Sequence, residues 1–187
     1  ENVKGLLAGN AKVYAKEIVK RLRGHGYTVQ VFLLNAATMG VPQMRERCFF
    51  IARQDATWPD LVMRFEEPEI PVASFAPRLS EYRMITAGNE RHYAYGRQKN
   101  PWPCGTRCAP TQVATKSRID CAKVFPGDGR IMGGTTFQDT ERLAIQSYPM
   151  DYAFAGMDVQ YLCGMSVPPV MTAQIAHQIN LQWFNKV

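Results

Sequence analysis

Apolar residues recur at helical spacing between Lys12 and Arg23, where Val13, Ile18, Val19 and Leu22 are set among lysines and arginines, and Gly24 and Gly26 follow as stop signals. The period then changes. Tyr27 to Leu34 is rich in β-branched and apolar residues and predicts a strand, and the apolar run from Arg47 to Ala52 predicts a second, buried one. A helix followed by two strands predicts half of an α/β sheet, a layout in which loops at the strand ends carry the chemistry. From Pro77 to Arg130 no long period survives, and glycine, proline and polar residues predict an irregular, loop-rich unit. Asp139 to Tyr148 predicts a short helix stopped by Pro149. Pro169 to Trp183 predicts a longer one, with Val170, Ala173, Ile175, Ala176, Ile179 and Trp183 in helical arrangement, Ser166 as its cap, and Pro168 and Pro169 where a first turn tolerates proline.

Composition changes this picture little. The 187 residues are 46% apolar and 20% charged, which is globular and excludes a disordered or fibrous chain. No stretch approaches the roughly 18 uninterrupted apolar residues of a membrane-spanning helix. Five cysteines, an odd number at low density, point to a reducing, cytoplasmic setting. The first residue is Glu1 rather than Met, which suggests a fragment of a longer chain.

Charge divides the chain more sharply. The net charge of +6 is made of +6 in residues 1–53, −4 in 54–77, +6 in 78–130 and −2 in 131–187. The acidic, proline-containing stretch from Trp58 to Pro77 therefore reads as a connector between two basic units, and the balance suits a polyanionic partner.

Three stretches, in the right order, resemble motifs of the cytosine-5 DNA methyltransferases. The first is Glu1-Asn2-Val3. The second runs Gly40-Val41-Pro42-Gln43-Met44-Arg45-Glu46-Arg47 and is similar to the family's Gln-x-Arg-x-Arg motif. The third joins Ile145-Gln146-Ser147-Tyr148-Pro149-Met150-Asp151-Tyr152 to Gly164-Met165-Ser166-Val167-Pro168-Pro169. The resemblance implies part of a Rossmann-like, S-adenosylmethionine-dependent methyltransferase fold of α/β class with a small irregular target-recognition domain. It divides the chain into a catalytic-sheet segment at 1–56, a connector at 57–77, a recognition domain at 78–150 and a return segment with the final helix at 151–187. It also implies methyl transfer from S-adenosylmethionine to carbon 5 of a flipped cytosine in double-stranded DNA, in a bacterial or phage-infected cell.

The chemistry explains the residue types. Carbon 5 of cytosine becomes nucleophilic once a thiolate has added at carbon 6, and an acid on ring N3 eases that addition. The resemblance makes Glu1 that acid, although a residue at a chain end is expected to fray. It makes Asn2 the residue that orients the turn and Val3 a wall of the base pocket. Arg45 and Arg47 alternate with Met44 and Glu46, so an extended segment directs both to one face, where two guanidinium groups suit a base carbonyl and a phosphate. Both join Glu1 as candidate catalytic residues, Arg47 as the base contact and Arg45 as its support, with Gln43 organising the loop. Ser166 and Met165 are the implied cofactor contacts. Met165 departs from the family's usual Asn, and Thr140-Glu141 departs from its usual Arg-Glu.

In this family the cofactor-binding glycine loop and the Pro-Cys nucleophile both precede Glu-Asn-Val. The one Pro-Cys pair, Pro103-Cys104-Gly105, lies in the variable region and lacks the Gln or Asn that should follow it. The expected partner is therefore an N-terminal catalytic half, in the same polypeptide or a separate subunit. Alone, these residues are expected to be inactive and to self-associate through an unfinished sheet edge. A flipped base requires something to hold the distorted duplex. Arg83, Arg91, Arg97, Lys99, Arg107, Lys116 and Arg118, with Arg78 and Lys123, are interleaved with Tyr82, His92, Tyr93, Tyr95 and Trp102, and supply phosphate contacts and arginines able to read guanine. No metal site is expected, because Cys104, Cys108 and Cys121 are loosely spaced and lack a fourth ligand. Two rival readings are a non-catalytic or split-subunit DNA-binding module and an RNA cytosine methyltransferase.

Overall fold

The computed structural model describes residues 1–84, 102–105, 107–110, 120–124 and 131–185. Its first sheet is built from β1 (Asn2–Val3), β2 (Thr28–Asn35) and β3 (Glu46–Arg53), in the order β1-β3-β2 with both contacts antiparallel. Helix α1 (Lys12–Gly24) joins β1 to β2. A loop that opens with a 3-10 turn, Ala36–Met39, joins β2 to β3: the Asn35 side chain accepts a hydrogen bond from the Ala37 amide at 3.2 Å, and Gly40 takes a positive φ of 78°. That conformation favours glycine because it lacks a Cβ.

The strands are less deeply buried than a parallel sheet would make them. One face carries Leu34 with Met39 and Val41 of the turn, and packs on Met171 and Ile175 of the last helix. The other lies under α1, whose Ala15 is buried while Val13 and Tyr14 are each 68% exposed. Val13 and Tyr14 thus stand largely uncovered at the start of α1, Ile18 is partly exposed, and so are Val31 and Leu33 of β2.

The acidic connector is strapped to this sheet. The Gln30 side-chain amide both donates to Leu61 O (3.1 Å) and accepts from Leu61 N (2.8 Å), and Gln182 grips Val62 in the same way at 3.0 and 2.8 Å. Arg53 reaches Asp60 and Pro59 O, and the Trp183 indole N–H donates to Pro59 O at 2.9 Å. Met63 and Phe65 pack on the first core, whereas Val72 and Ala76 belong to the second.

That second core lies beneath a sheet of short strands, β4 (Arg83–Met84), β5 (Trp102–Pro103), β6 (Cys121–Val124) and β7 (Ile131–Thr135), antiparallel in the order β5-β4-β6-β7. Strands of two to five residues are too short to leave a legible period, so a sequence that reads as loops folds partly as a sheet. Leu79, Met84, Cys104, Cys121 and Phe137 fill its core together with Ile145 of α2 (Asp139–Ile145).

Two short elements differ from expectation. The spacer before Gly164 contains a helix, α3 (Val159–Met165), started by Asp158, whose carboxylate accepts from the Tyr161 amide at 2.8 Å. Ser166 does not cap the last helix, α4 (Pro169–Ile179). It ends α3, while Pro168, which has no acceptor side chain, is the residue before α4; the Val170 amide of the first turn donates instead to the Ser147 hydroxyl at 3.2 Å. Past Ile179 the chain continues in a wider π-turn, Asn180–Phe184. Among the described residues no helix is long and apolar enough to cross a membrane.

Candidate functional site

The site begins with strand register. Val3 of β1 lies opposite Arg47 of β3. Side chains alternate along a strand, so Glu1 shares the face of Val3 and becomes the diagonal neighbour of Arg47. The outcome is an ion pair of 3.0 Å between Arg47 Nε and the Glu1 carboxylate. The side chain of Glu1, expected to be loose, is held by an arginine whose own side chain is only 11% exposed. Asn2 turns its Oδ1 back on the Val3 amide at 2.9 Å, and Val3 stands half exposed beside the pair.

The alternation across Gln43–Arg47 is also legible in burial: Gln43, Arg45 and Arg47 are buried, and Met44 and Glu46 are not. The two arginines nevertheless have different surroundings. Arg45 is completely enclosed, and its guanidinium donates to Gly164 O at 2.7 Å, Ser166 O at 2.8 Å and Gln43 Oε1 at 3.3 Å. Enclosed in this way it does not reach a base, and its geometry is that of a staple between the start of β3 and the end of α3. Burial pushes Arg45 down to about 10, with Arg47 adding to the effect, and burial lowers Arg47 while Glu1 opposes the shift.

Gln43 completes the staple. Its amide donates to Ile145 O at 3.2 Å and to Gln146 Oε1 at 2.7 Å. Gln146 in turn donates to Ser166 O (3.0 Å) and Ser166 Oγ (2.9 Å), and the Ser166 hydroxyl donates to Cys163 O at 3.3 Å. Gln146 carried no assigned role in the sequence. The available signal was a glutamine directly after the apolar Leu143-Ala144-Ile145 run, a polar group that burial obliges to find partners. Met165, next to Ser166, is 63% exposed. The backbone of the same loop is tied to the second unit: Met44 N donates to Ala109 O at 2.7 Å and Ala109 N to Pro42 O at 2.9 Å.

The basic residues expected to contact DNA fall into two groups, those described by the structure and those outside it. Arg83 is half-buried on β4, between Pro103 and Ala122. Arg107 forms a two-pronged ion pair with Glu69 at 2.9 and 3.2 Å, Arg78 forms another with Glu141 at 2.7 and 2.6 Å, and Lys123 pairs with Glu81 at 3.2 Å. Arg91, Arg97, Lys99, Lys116 and Arg118 lie outside the described residues. Cys104 of the Pro-Cys pair is fully buried, its sulfur 4.0 Å from that of Cys121. It does not stand in the Glu1–Arg47 site. Burial raises Cys108 to about 12 and Cys163 to about 11, which leaves both as inert core thiols at neutral pH.

The family model for C-5 cytosine-specific DNA methylase matches residues 1–100. The type II methyltransferase M.AplI of Arthrospira platensis is 30% identical over all of this chain and 57% of its own length. The type II methyltransferase M.NgoFVII of Neisseria gonorrhoeae is 45% identical over 96% of this chain and 57% of its own. The chain thus spans a little over half the length of these relatives. Among solved structures, the Dnmt2 methyltransferase of S. pombe superposes with a TM-score of 0.58 at 14% identity, over 98% of this chain and 65% of that one, a likeness of fold.

Proposed function

The chain belongs to the C-5 cytosine-specific DNA methylase family, and from that premise we propose that it forms the base-binding and DNA-recognition part of an enzyme that methylates carbon 5 of cytosine in duplex DNA. The observation that carries this reading is the partly exposed Glu1–Arg47 pair, set on a strand whose start is anchored by the buried Gln43, Arg45 and Gln146. A carboxyl group and a guanidinium side by side suit the N3 and O2 edge of a flipped cytosine. Arg47 donates to O2, and Glu1 holds a proton at N3, which eases thiolate addition at carbon 6. Pairing with Arg47 also fixes the carboxyl before the base arrives, so no reorganisation is required at that step.

S-adenosylmethionine, when bound, supplies the methyl group. The turn Gly164–Ser166 fits one flank of it: Met165 offers an exposed apolar face, whereas the Ser166 hydroxyl already has partners and serves to shape the turn. The nucleophile and the remainder of the cofactor site come from an N-terminal catalytic half. Two features support such a partner, namely the exposed Val13 and Tyr14 on α1 and the partly exposed Val31 and Leu33 on β2. The same surfaces drive self-association when that half is missing. Duplex DNA lies across the recognition region, held by Arg83, Arg91, Arg97, Lys99, Lys116 and Arg118, with Arg107 contributing less because Glu69 already neutralises it.

The test is methyl transfer by the full-length protein. Tritiated S-adenosylmethionine and unmethylated bacterial chromosomal DNA are expected to give 5-methylcytosine within one short sequence context, located by bisulfite sequencing. The 187-residue chain alone is expected to give none, and adding the N-terminal half is expected to restore incorporation. A full-length protein that binds DNA without methylating it would favour the non-catalytic module, the reading to which Met165 in place of Asn lends support.

A further inference from the structure

Just before Arg47 in the chain, a closed ring of buried polar side chains ties the start of β3 to two distant segments. Gln43 donates to Gln146, Gln146 donates to Ser166 O, Arg45 donates to that same carbonyl, and Arg45 donates back to Gln43 Oε1. Gln43, Arg45 and Gln146 are completely enclosed. The ring joins three stretches distant in sequence: the start of β3, the end of α2 and the turn after α3. The first of these is additionally bonded through its backbone to Ala109 of the recognition region. Gln146 follows Ile145, a member of the recognition core.

We propose that Gln146 is a positioning residue: it transmits the placement of the recognition core to the start of β3 and thereby sets where Arg47 stands against Glu1. The argument is one of connectivity. Gln146 is the ring member that extends α2, and its single carboxamide uses its oxygen on Gln43 and its nitrogen on Ser166. Removing it takes from the Gln43 amide its acceptor at 2.7 Å and leaves the longer bond to Ile145 O at 3.2 Å, which loosens the side chain that accepts from Arg45. Arg47 is two residues beyond Arg45 on the same face of the strand, so freedom at Arg45 reaches it directly. The inference rests on the methyltransferase reading for its kinetic consequence and on geometry alone for its structural one.

The experiment uses the full-length protein with Gln146→Met, which keeps the volume and removes every amide hydrogen bond. Ile145→Val, one residue earlier in the same buried helix end, is the packing control. Steady-state kinetics on unmethylated chromosomal DNA are expected to show kcat at least about tenfold lower for Gln146→Met, a loss of the size of one positioned hydrogen bond, with KM for DNA changed less than about twofold. Ile145→Val should leave both constants within about twofold at a matched drop in thermal midpoint. In the same proteins labelled with [15N]arginine, exchange of the Arg47 Nε proton is expected to quicken at least about tenfold in Gln146→Met and not in Ile145→Val, as release of one net hydrogen bond would give. Should the methionine variant not fold, Gln146→Glu keeps the oxygen that Gln43 uses and replaces the donor facing Ser166, and is expected to show the same kinetic split. Equal kcat losses in variant and control, tracking stability, would overturn the proposal, as would unchanged exchange at Arg47. A wild-type protein inactive on all DNA would refute the methyltransferase reading, while the Arg47 exchange would still decide the role of Gln146.

Discussion

Two sets of arginines occupy this chain, and the fold treats them differently. Arg45 and Arg47 lie in a shell where nearly every polar group is buried and partnered, and only the Glu1–Arg47 edge opens to the outside. Arg78 and Arg107 lie on the second unit with side chains 38% and 40% exposed, and each is matched by a carboxylate in a two-pronged pair. The contrast teaches that a positive residue count overstates the charge offered to a polyanion. Part of the +6 assigned to residues 78–130 is neutralised internally by Glu69 and Glu141, which lie outside that stretch of sequence.

The largest expected effect tests the open edge of the buried set. Arg47→Ala in the full-length protein should lower kcat at least about 100-fold, the range for losing one preorganised donor. Duplex affinity, measured by fluorescence anisotropy on unmodified DNA, should hardly change. A proportional loss of DNA binding would place Arg47 on the recognition surface and erase the contrast.

Next comes the closed member of the same set. Arg45→Met takes the guanidinium donor away from the carbonyls of Gly164 and Ser166, and should lower the unfolding free energy by about 3 kcal/mol, since unsatisfied buried groups cost about 1–3 kcal/mol each. Arg107→Ala, which breaks a partly exposed pair, should cost under about 1 kcal/mol. Urea titrations of the two variants compare them directly, and equal costs would show that the two shells are energetically alike.

A smaller difference separates arginines within the recognition region. Removing one phosphate-binding side chain reduces the log–log salt slope of duplex binding by about 0.9. Arg91→Ala and Arg97→Ala should each approach that value, and Arg107→Ala should fall well short because Glu69 already holds its charge. Identical slopes for all three would mean that DNA displaces Glu69.

The smallest effect is on acid stability. Arg107 holds the Glu69 carboxyl below its ordinary value of 4.5. A carboxyl group lowered by folding contributes stability that is present above the ordinary value and lost as the pH falls through the folded one. The stability gap between wild type and Glu69→Gln should therefore be under about 1 kcal/mol at pH 7 and close in acid, once the carboxyl is protonated in the folded state as well. A gap that persists in acid would show the contribution to be packing rather than charge.

Local pattern determined much of this protein. The helix at Lys12–Gly24, the two long strands, the helix at Asp139–Ile145 and that at Pro169–Ile179 were all legible, because each is long or regular enough for its period to register. The order of the motifs, Glu-Asn-Val before Gln-x-Arg-x-Arg before the closing prolines, was legible too and led to the family. Tertiary structure alone decided the rest. Strands of two to five residues between Arg83 and Thr135 carry too few positions to reveal a period and exist through pairing across the chain. The resemblance cast Arg45 as the support of Arg47 but did not reveal what encloses it, since alternation gives a shared face and not what covers it. The turn at Gly164–Ser166, 119 residues away, closes over Arg45, while the register of β1 delivers Glu1 to Arg47. Gln146 gained its place for the same reason: a buried amide is given partners by the segments that converge on it, and that convergence is a property of the fold.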